Sequence, residues 1–362
     1  MIPVYRITSK GANVTDRYAG RLLSLSVTDQ TDGNSDSLQI ELEDTGWQTE
    51  LPKQGEILEI ELWYQGQKPV SVGSYVVDEM SIEGDPDRII ISGKACPFEN
   101  AEQLKAMQAR KSRSFDAVTI GDLVKTIAGE NGLVAAVDPQ LAATEIAHID
   151  QTRESDNNLL SRLARQHGAV YKPVSGRLVF ARAGATETVT GKQLPDVTIS
   201  RGEVAPGWKF TLSRRMEYEA VKVAHHDVDF GDTVEIVAGE GDKIHFVHGL
   251  AQNEPEAKAQ AEATLKDIQR GSKTFSIQCA GRFDVTAEQR ITLAGFHPRA
   301  DGVWLAKRIT HTFRKSEGLR TVIEGESLDG SKKTPSTSGK KSGGANLDFG
   351  DTAVRQPDGY WR

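Results

Sequence analysis

Apolar and polar residues alternate one for one in the early part of the chain. In Leu23-Ser-Leu-Ser-Val-Thr28 and Leu38-Gln-Ile-Glu-Leu-Glu43 every second residue is apolar, the period of a strand with one face buried and one wet. Glu56 to Tyr64 repeats it, with Leu58, Ile60 and Leu62 set against Glu59 and Glu61. Tyr75 to Ile82 and Arg88 to Ser92 follow, joined through Gly84-Asp85-Pro86, a turn cluster. Strands this short and this closely spaced predict a small antiparallel β-barrel or sandwich over residues 1–98. Closure into a barrel would remove its exposed edges.

The period then changes. Thr119 precedes Ile120, Leu123, Val124 and Ile127, with Asp122 at the third helical position and Gly132 beyond the end. That pattern predicts a capped helix of about three turns. Val134 to Val137 is a short apolar run, and Gln151 to Phe180 then reads QTRESDNNLLSRLARQHGAVYKPVSGRLVF. Ser155 and Asp156 both suit an N-cap. Leu159, Leu160 and Leu163 share one stripe, and Gly168 stands where a left-handed residue ends a helix. Ser175-Gly176 supplies a tight turn between Val170–Val174 and Arg177–Phe180. Residues 99–190 are thus expected to form an α+β connector unit of scaffold residues.

Strand patterning returns at Trp208, in Lys209–Ser213, Ala220–Ala224, Val234–Val237 and Ile244–Val247. It continues in Phe275–Cys279, Arg290–Leu293, Val303–Thr312 and Arg320–Glu324. One helix interrupts, with Asn253 as cap, Pro255 in the first turn, and Ala257, Ala261, Leu265 and Ile268 as a narrow stripe before Gly271. A second β-barrel over residues 191–328 follows, with a helical insertion around 226–271. The expected class is mainly β with α+β insertions: two small antiparallel β-barrels linked by an α+β unit. Residues 329–346, DGSKKTPSTSGKKSGGAN, hold no large apolar side chain and predict a flexible tether. The tail beyond it, within 329–362, carries Phe349, Tyr360 and Trp361 and reads either as a candidate partner-docking end or as a frayed terminus.

Composition narrows the function. The 362 residues are 38% hydrophobic and 26% charged, which suits two or three soluble domains. No apolar run approaches the roughly 20 residues that span a bilayer, and MIPVYRITSKG lacks the features of a signal peptide. A net charge of -7 argues against nucleic-acid binding, which needs a basic footprint. Cys96 and Cys279 have no Cys or His at metal spacing and read as reduced thiols.

Candidate chemistry is sparse. His225-His226-Asp227 with Asp229 is the most metal-like cluster, but adjacent strand residues point to opposite faces. His245 and His248 diverge on a strand in the same way. Asp29, Asp32 and Asp36 crowd a loop around Gly33 without the EF-hand order, and read as a solvated hairpin tip. Asp85-Pro86-Asp87 reads as turn chemistry. There is no G-x-S-x-G elbow, Walker loop, dinucleotide fingerprint or H-E-x-x-H. No enzyme, catalytic residue, cofactor or metal is expected. Paired carboxylates for sugar hydrolysis stay open among 51 acidic residues, although none stands in an apolar surround that would mark a raised pKa.

The order Gln151, Glu154-Ser-Asp156, Leu159-Leu160, Arg162-Leu-Ala164, Gly168 and Leu178-Val-Phe180 resembles the late-control D family of phage tail proteins. The resemblance runs from about residue 20 to 328. It takes in Ser26-Val-Thr-Asp29, Asp36-Ser-Leu-Gln-Ile40, Leu51-Pro-Lys-Gln-Gly55, Gly73-Ser-Tyr-Val-Val-Asp78 and Gly84-Asp-Pro-Asp-Arg88. Later it includes Ala257 to Gly271, Ala294-Gly-Phe296, Gly302-Val-Trp304 and His311. Members form the baseplate hub of contractile tails, and the early part of type VI secretion spike proteins is similar. The resemblance implies a structural homotrimer whose ring of six barrels joins the hexameric tail tube to the trimeric spike. Implied partners are a separate spike protein, the tube protein or its initiator, and other baseplate proteins, with no membrane in the resting state. The implied location is the virion tail or a phage-tail-like particle, assembled in the bacterial host cytoplasm. The competing expectation is a tail-associated protein that binds or degrades peptidoglycan.

Overall fold

The computed structural model describes residues 1–31, 36–46, 49–95, 101–174, 176–184, 195–213, 218–227 and 232–328. The tether and Phe349, Tyr360 and Trp361 lie outside them, as do Asp32, Gly33, Cys96, Ser175 and Asp229.

The early alternating stretches form β1 (Pro3–Ser9), β2 (Ala12–Asn13), β3 (Leu22–Gln30), β4 (Ser37–Glu43), β5 (Ile57–Tyr64), β6 (Val70–Glu83) and β7 (Arg88–Ala95). A short helix, α1 (Thr15–Ala19), lies between β2 and β3. Next come α2 (Ala101–Gln108), β8 (Arg110–Thr119), α3 (Ile120–Glu130), β9 (Val134–Val137) and α4 (Pro139–Ala142). They lead to β10 (Glu145–Ser155), α5 (Asp156–Gln166), β11 (Ala169–Val174) and β12 (Arg177–Arg182). The last part holds β13 (Val197–Ser200), β14 (Lys209–Leu212), β15 (Ala220–Asp227), β16 (Asp232–Gly239) and β17 (Ile244–Ala251). After α6 (Glu254–Gly271) follow β18 (Lys273–Ala280), β19 (Arg290–Ala294), β20 (Gly302–Arg314) and β21 (Gly318–Ser327).

The class is mainly β with an α+β unit, as the patterning predicts. Both β regions share one 13-stranded sheet, ordered β14-β18-β21-β20-β3-β4-β7-β6-β5-β1-β2, with β19 on β20 and β13 on β19. Among the described residues that ladder runs open from β14 to β2. The join between the regions is antiparallel, from Ser24 opposite Arg314 to Gln30 opposite Arg308. Hydroxyl pairs Ser26–Thr312 at 3.1 Å and Thr28–Thr310 at 3.2 Å run along it. Alternation reveals which face of a strand is buried but not which strand lies beside it, so this shared sheet is not readable from periodicity.

Two cores sit on the sheet. Ile7, Leu25, Ile40, Leu58, Ile60, Leu62 and Ile91 fill the first around Tyr18 and Tyr75. The β20–β21 tip reaches into it: Leu319 is buried there, and Phe313 lies 4.9 Å from Tyr5, ring to ring. The second core holds Phe275, Ile277, Ile291, Leu293, Trp304, Ile309 and Ile323. Gly325 on β21 makes its packing possible. A Cβ there would stand 2.3 Å from the Leu305 carbonyl oxygen and 2.4 Å from the Phe275 ring.

The connector unit packs α3 and α5 on two small sheets, antiparallel β8–β10 and β11–β12–β9, in which β9 runs parallel to β12. Ile120, Leu123, Val124, Ile127, Leu159, Leu160, Leu163 and Phe180 form its core, and Val76 of β6 is buried with them. Helix α5 starts where its cap predicts: the Ser155 hydroxyl accepts the Asn158 amide at 3.2 Å. It ends at Gln166, and Gly168 just beyond the cap turns the chain with φ +59°. A Cβ at Gly168 would meet the Ala263 methyl at 3.2 Å, so α6 approaches there only because both residues are small. Ala257 and Ala261 of α6 pack instead with Val221 and Val223 of the β15–β17 sheet. Short side chains thus let one helix lie close to two layers.

Substituting Gly325→Ala is expected to destabilise the chain by about 3 kcal/mol, the upper end of overpacking costs, read by urea unfolding. A loss under about 1 kcal/mol would show that Phe275 moves aside without strain.

Candidate functional site

The polar residues of the Gln151–Phe180 stretch meet inside the connector. Asp156 is the first residue of α5, and its carboxylate is fully buried rather than capping. It accepts hydrogen bonds from the Lys111 ammonium at 2.7 Å, the Arg113 guanidinium at 3.0 Å, Gln151 at 2.9 Å and Asn131 at 3.0 Å. Glu130 braces the same two cations, at 3.2 Å from Lys111 and 2.6 Å from Arg113. Burial pushes the Asp156 carboxyl up, but the hydrogen bonds from Lys111, Gln151 and Asn131 outweigh it and hold the pKa below the usual aspartate range. The network ties the β8–β10 ribbon to α3 and α5. It is structural, and the motif view of the stretch missed it because Lys111 and Arg113 lie in another strand.

A second constellation lies where the connector meets both β regions. The Lys172 ammonium on β11 is 2.5 Å from Asp29 and 2.9 Å from Asp36. The other Asp29 oxygen accepts the Ala287 amide at 3.0 Å, from the β18–β19 connection. The next residue, Glu288, accepts the Gly184 amide at 2.7 Å, and Gln289 donates to the Pro195 carbonyl at 2.7 Å. Glu288 takes φ +64°, an unusual conformation for a side chain of its size. Asp29 and Asp36 are therefore not a solvated hairpin tip: their side chains are only 26% and 18% exposed. Their partner stands far along the chain, out of reach of any local pattern.

Electrostatics agree with that geometry. Burial pushes the Asp36 carboxyl up and Asp29 adds to the push, against Lys172. Burial pulls the Lys172 ammonium down, yet the two carboxylates more than offset it and hold its pKa above the usual lysine value. Burial also raises Glu288, opposed by the Gly184 amide and Arg270. Raised acids are thus present, contrary to the reading from sequence, because their burial comes from distant elements.

A cavity of about 450 Å³ adjoins this junction, lined by Tyr171, Glu288, Arg270, Lys307 and Glu326. Glu326 pairs with Lys307 at 3.2 Å and approaches Arg270 at 3.6 Å. A cleft of about 680 Å³ lies between β10, α5 and the start of α6. On its rim, exposed His148 bridges Asp116 at 2.5 Å and Asp150 at 3.2 Å, and these contacts raise its pKa.

The remaining candidates are scattered. His225 is buried and His226 exposed at neighbouring positions of β15. On β17, the His245 ring lies tilted against Tyr218 at 5.0 Å, and His248 is exposed. Among the described residues no group of three or more His, Cys, Asp or Glu could hold a metal ion. Among them, too, no helix is long and apolar enough to cross a membrane. Cys279 is buried, which pushes its thiol up to about 11. His311 is buried beside the sheet join, bonded to the Thr321 hydroxyl at 2.9 Å, and burial pulls its pKa down to about 4.

This fold is that of phage tail proteins. The 43 kDa tail protein of prophage MuSo2 from Shewanella oneidensis superposes with a TM-score of 0.68, at 16% identity, over 91% of this chain and 99% of that one. The c3393 protein of E. coli, described as a type VI secretion component structurally similar to T4 tail proteins gp27 and gp5, superposes with a TM-score of 0.52. That match is 11% identical and covers 88% of this chain and 76% of the other. Residues 102–317 match the family described as phage tail baseplate hub (GPD), and the chain belongs to it. It is also 30% identical to the "Probable baseplate hub protein" of Escherichia phage 186, over 90% of this chain and 92% of that protein.

Substituting Asp156→Ala removes the buried acceptor shared by Lys111, Arg113, Gln151 and Asn131 and leaves the two cations with Glu130 as carboxylate partner. It is expected to lower stability by about 3 kcal/mol, read by urea unfolding at neutral pH. Because the folded pKa of Asp156 is lowered, its stabilisation is full above the unfolded carboxyl value and lost as pH falls through the folded one. The variant should lack that acid-side loss, and an unchanged acid limb would contradict the assignment.

His311 titrates with the opposite structural cause but the same sign. Its folded pKa lies below the ordinary 6.5, at about 4, so the unfolded chain takes up a proton first as pH falls. Stability should therefore drop by about 3 kcal/mol between pH 6.5 and 4 from this residue. His311→Gln, which keeps a partner for Thr321, should remove that part of the pH dependence. Equal slopes for the two proteins would count against a buried neutral imidazole.

Proposed function

We propose that this chain is a structural hub of a phage-tail baseplate, three copies of which close into a ring joining the tail tube to the central spike. Its correspondence with the phage 186 protein over nearly the whole of both chains carries the reading. Ring closure needs a heterologous interface whose rotation returns to the start, and a stiff protomer holds that rotation constant. The shared 13-stranded sheet and the charged junction supply such stiffness. The likeness of the secretion component to T4 tail proteins supports a place in a tail-like assembly.

In this reading the partners are a spike protein, the tube protein or its initiator, and neighbouring baseplate proteins. The site is the tail of a virion or tail-like particle, built in the host cytoplasm. No turnover is involved: the acids around the junction cavity hold amides and cations of other elements. Native mass spectrometry of the full chain, alone and with the spike protein of the same particle, tests this. Species of three chain masses, with spike bound in the mixture, are expected. A chain that stays single in both samples would overturn the ring, and clearing of a cell-wall suspension would overturn the non-enzymatic part.

A further inference from the structure

We propose that Lys172 is a positioning residue for assembly, setting the angle between the connector unit and the continuous sheet. Its ammonium is shared by Asp29 and Asp36. Asp29 lies on β3, the strand that joins the two β regions. The same carboxylate accepts the Ala287 amide, so one side chain gathers the first β region, the connector and the second β region. Glu288, the neighbour of Ala287, fastens the connector again at Gly184.

The connector's apolar cluster takes Val76 and Ile57 from the first β region, and among the described residues the second core takes nothing from the connector. Apolar contact is non-directional, whereas an ammonium held between two carboxylates fixes distance and direction together. Removing the ammonium leaves two carboxylates facing each other with no cation between them, and their repulsion opens the junction. The consequence for assembly rests on the ring reading above: a small change of angle in each copy accumulates around a closed ring and prevents closure.

The test uses the full chain with a donor–acceptor fluorophore pair introduced through unnatural amino acids at Ser71 on β6 and Ser114 on β8, both exposed. Wild type should give a single narrow distance distribution. Lys172→Met should broaden or shift it while circular dichroism and core amide protection stay as in wild type, and should raise the concentration for half-assembly by about tenfold or more. Lys172→Arg should restore both readouts. Ile127→Val, which loosens the connector core without touching the junction, should leave the distance unchanged. A Lys172→Met chain with the wild-type distance distribution overturns the proposal. So does one whose distance shifts while assembly is unaltered. A wild-type chain that never assembles overturns the ring reading instead, because the distance measurement reads the role of Lys172 without it.

Discussion

The pairing of β3 with β20 is the constraint on which the rest of the structure depends. It converts two β regions, far apart in sequence, into one sheet. The backbone groups of both strands are satisfied across the join, so the regions cannot swivel without breaking a ladder. The β20–β21 ends nearest their turn then enter the first core through Phe313 and Leu319. His311, on the same strand, is consequently buried and kept neutral.

The connector depends on that sheet in a different way. It brings most of its own core and a buried ion network around Asp156, and Val76 and Ile57 of the first β region complete that core. The Lys172 triad adds a polar contact at its edge. In the proposed ring, fixed internal geometry of this kind would hold the rotation from one copy to the next constant.

Local signals in the sequence were a good guide to individual elements. Asn253 and Pro255 predict the start of α6, and Ser155 that of α5, because capping is a matter of a few neighbouring residues. The β8–β10 ribbon is not readable in the same way. Its inward positions on β8 include Lys111 and Arg113, so no apolar alternation marks it. Asp156 looks like a cap because its partners on β8 are 45 and 43 residues away. Asp29 and Asp36 look solvated because Lys172 belongs to another unit. In each case the burial of a charged residue is decided by the fold and not by its neighbours in sequence.

On the proposed reading the chain is one stiff body repeated three times about the tail axis, which electron cryo-microscopy of the assembled particle tests most directly. Three copies in a ring between tube and spike are expected, each with β3 paired to its own β20. Six copies, a position away from the axis, or a β3 paired to a neighbouring copy would contradict it.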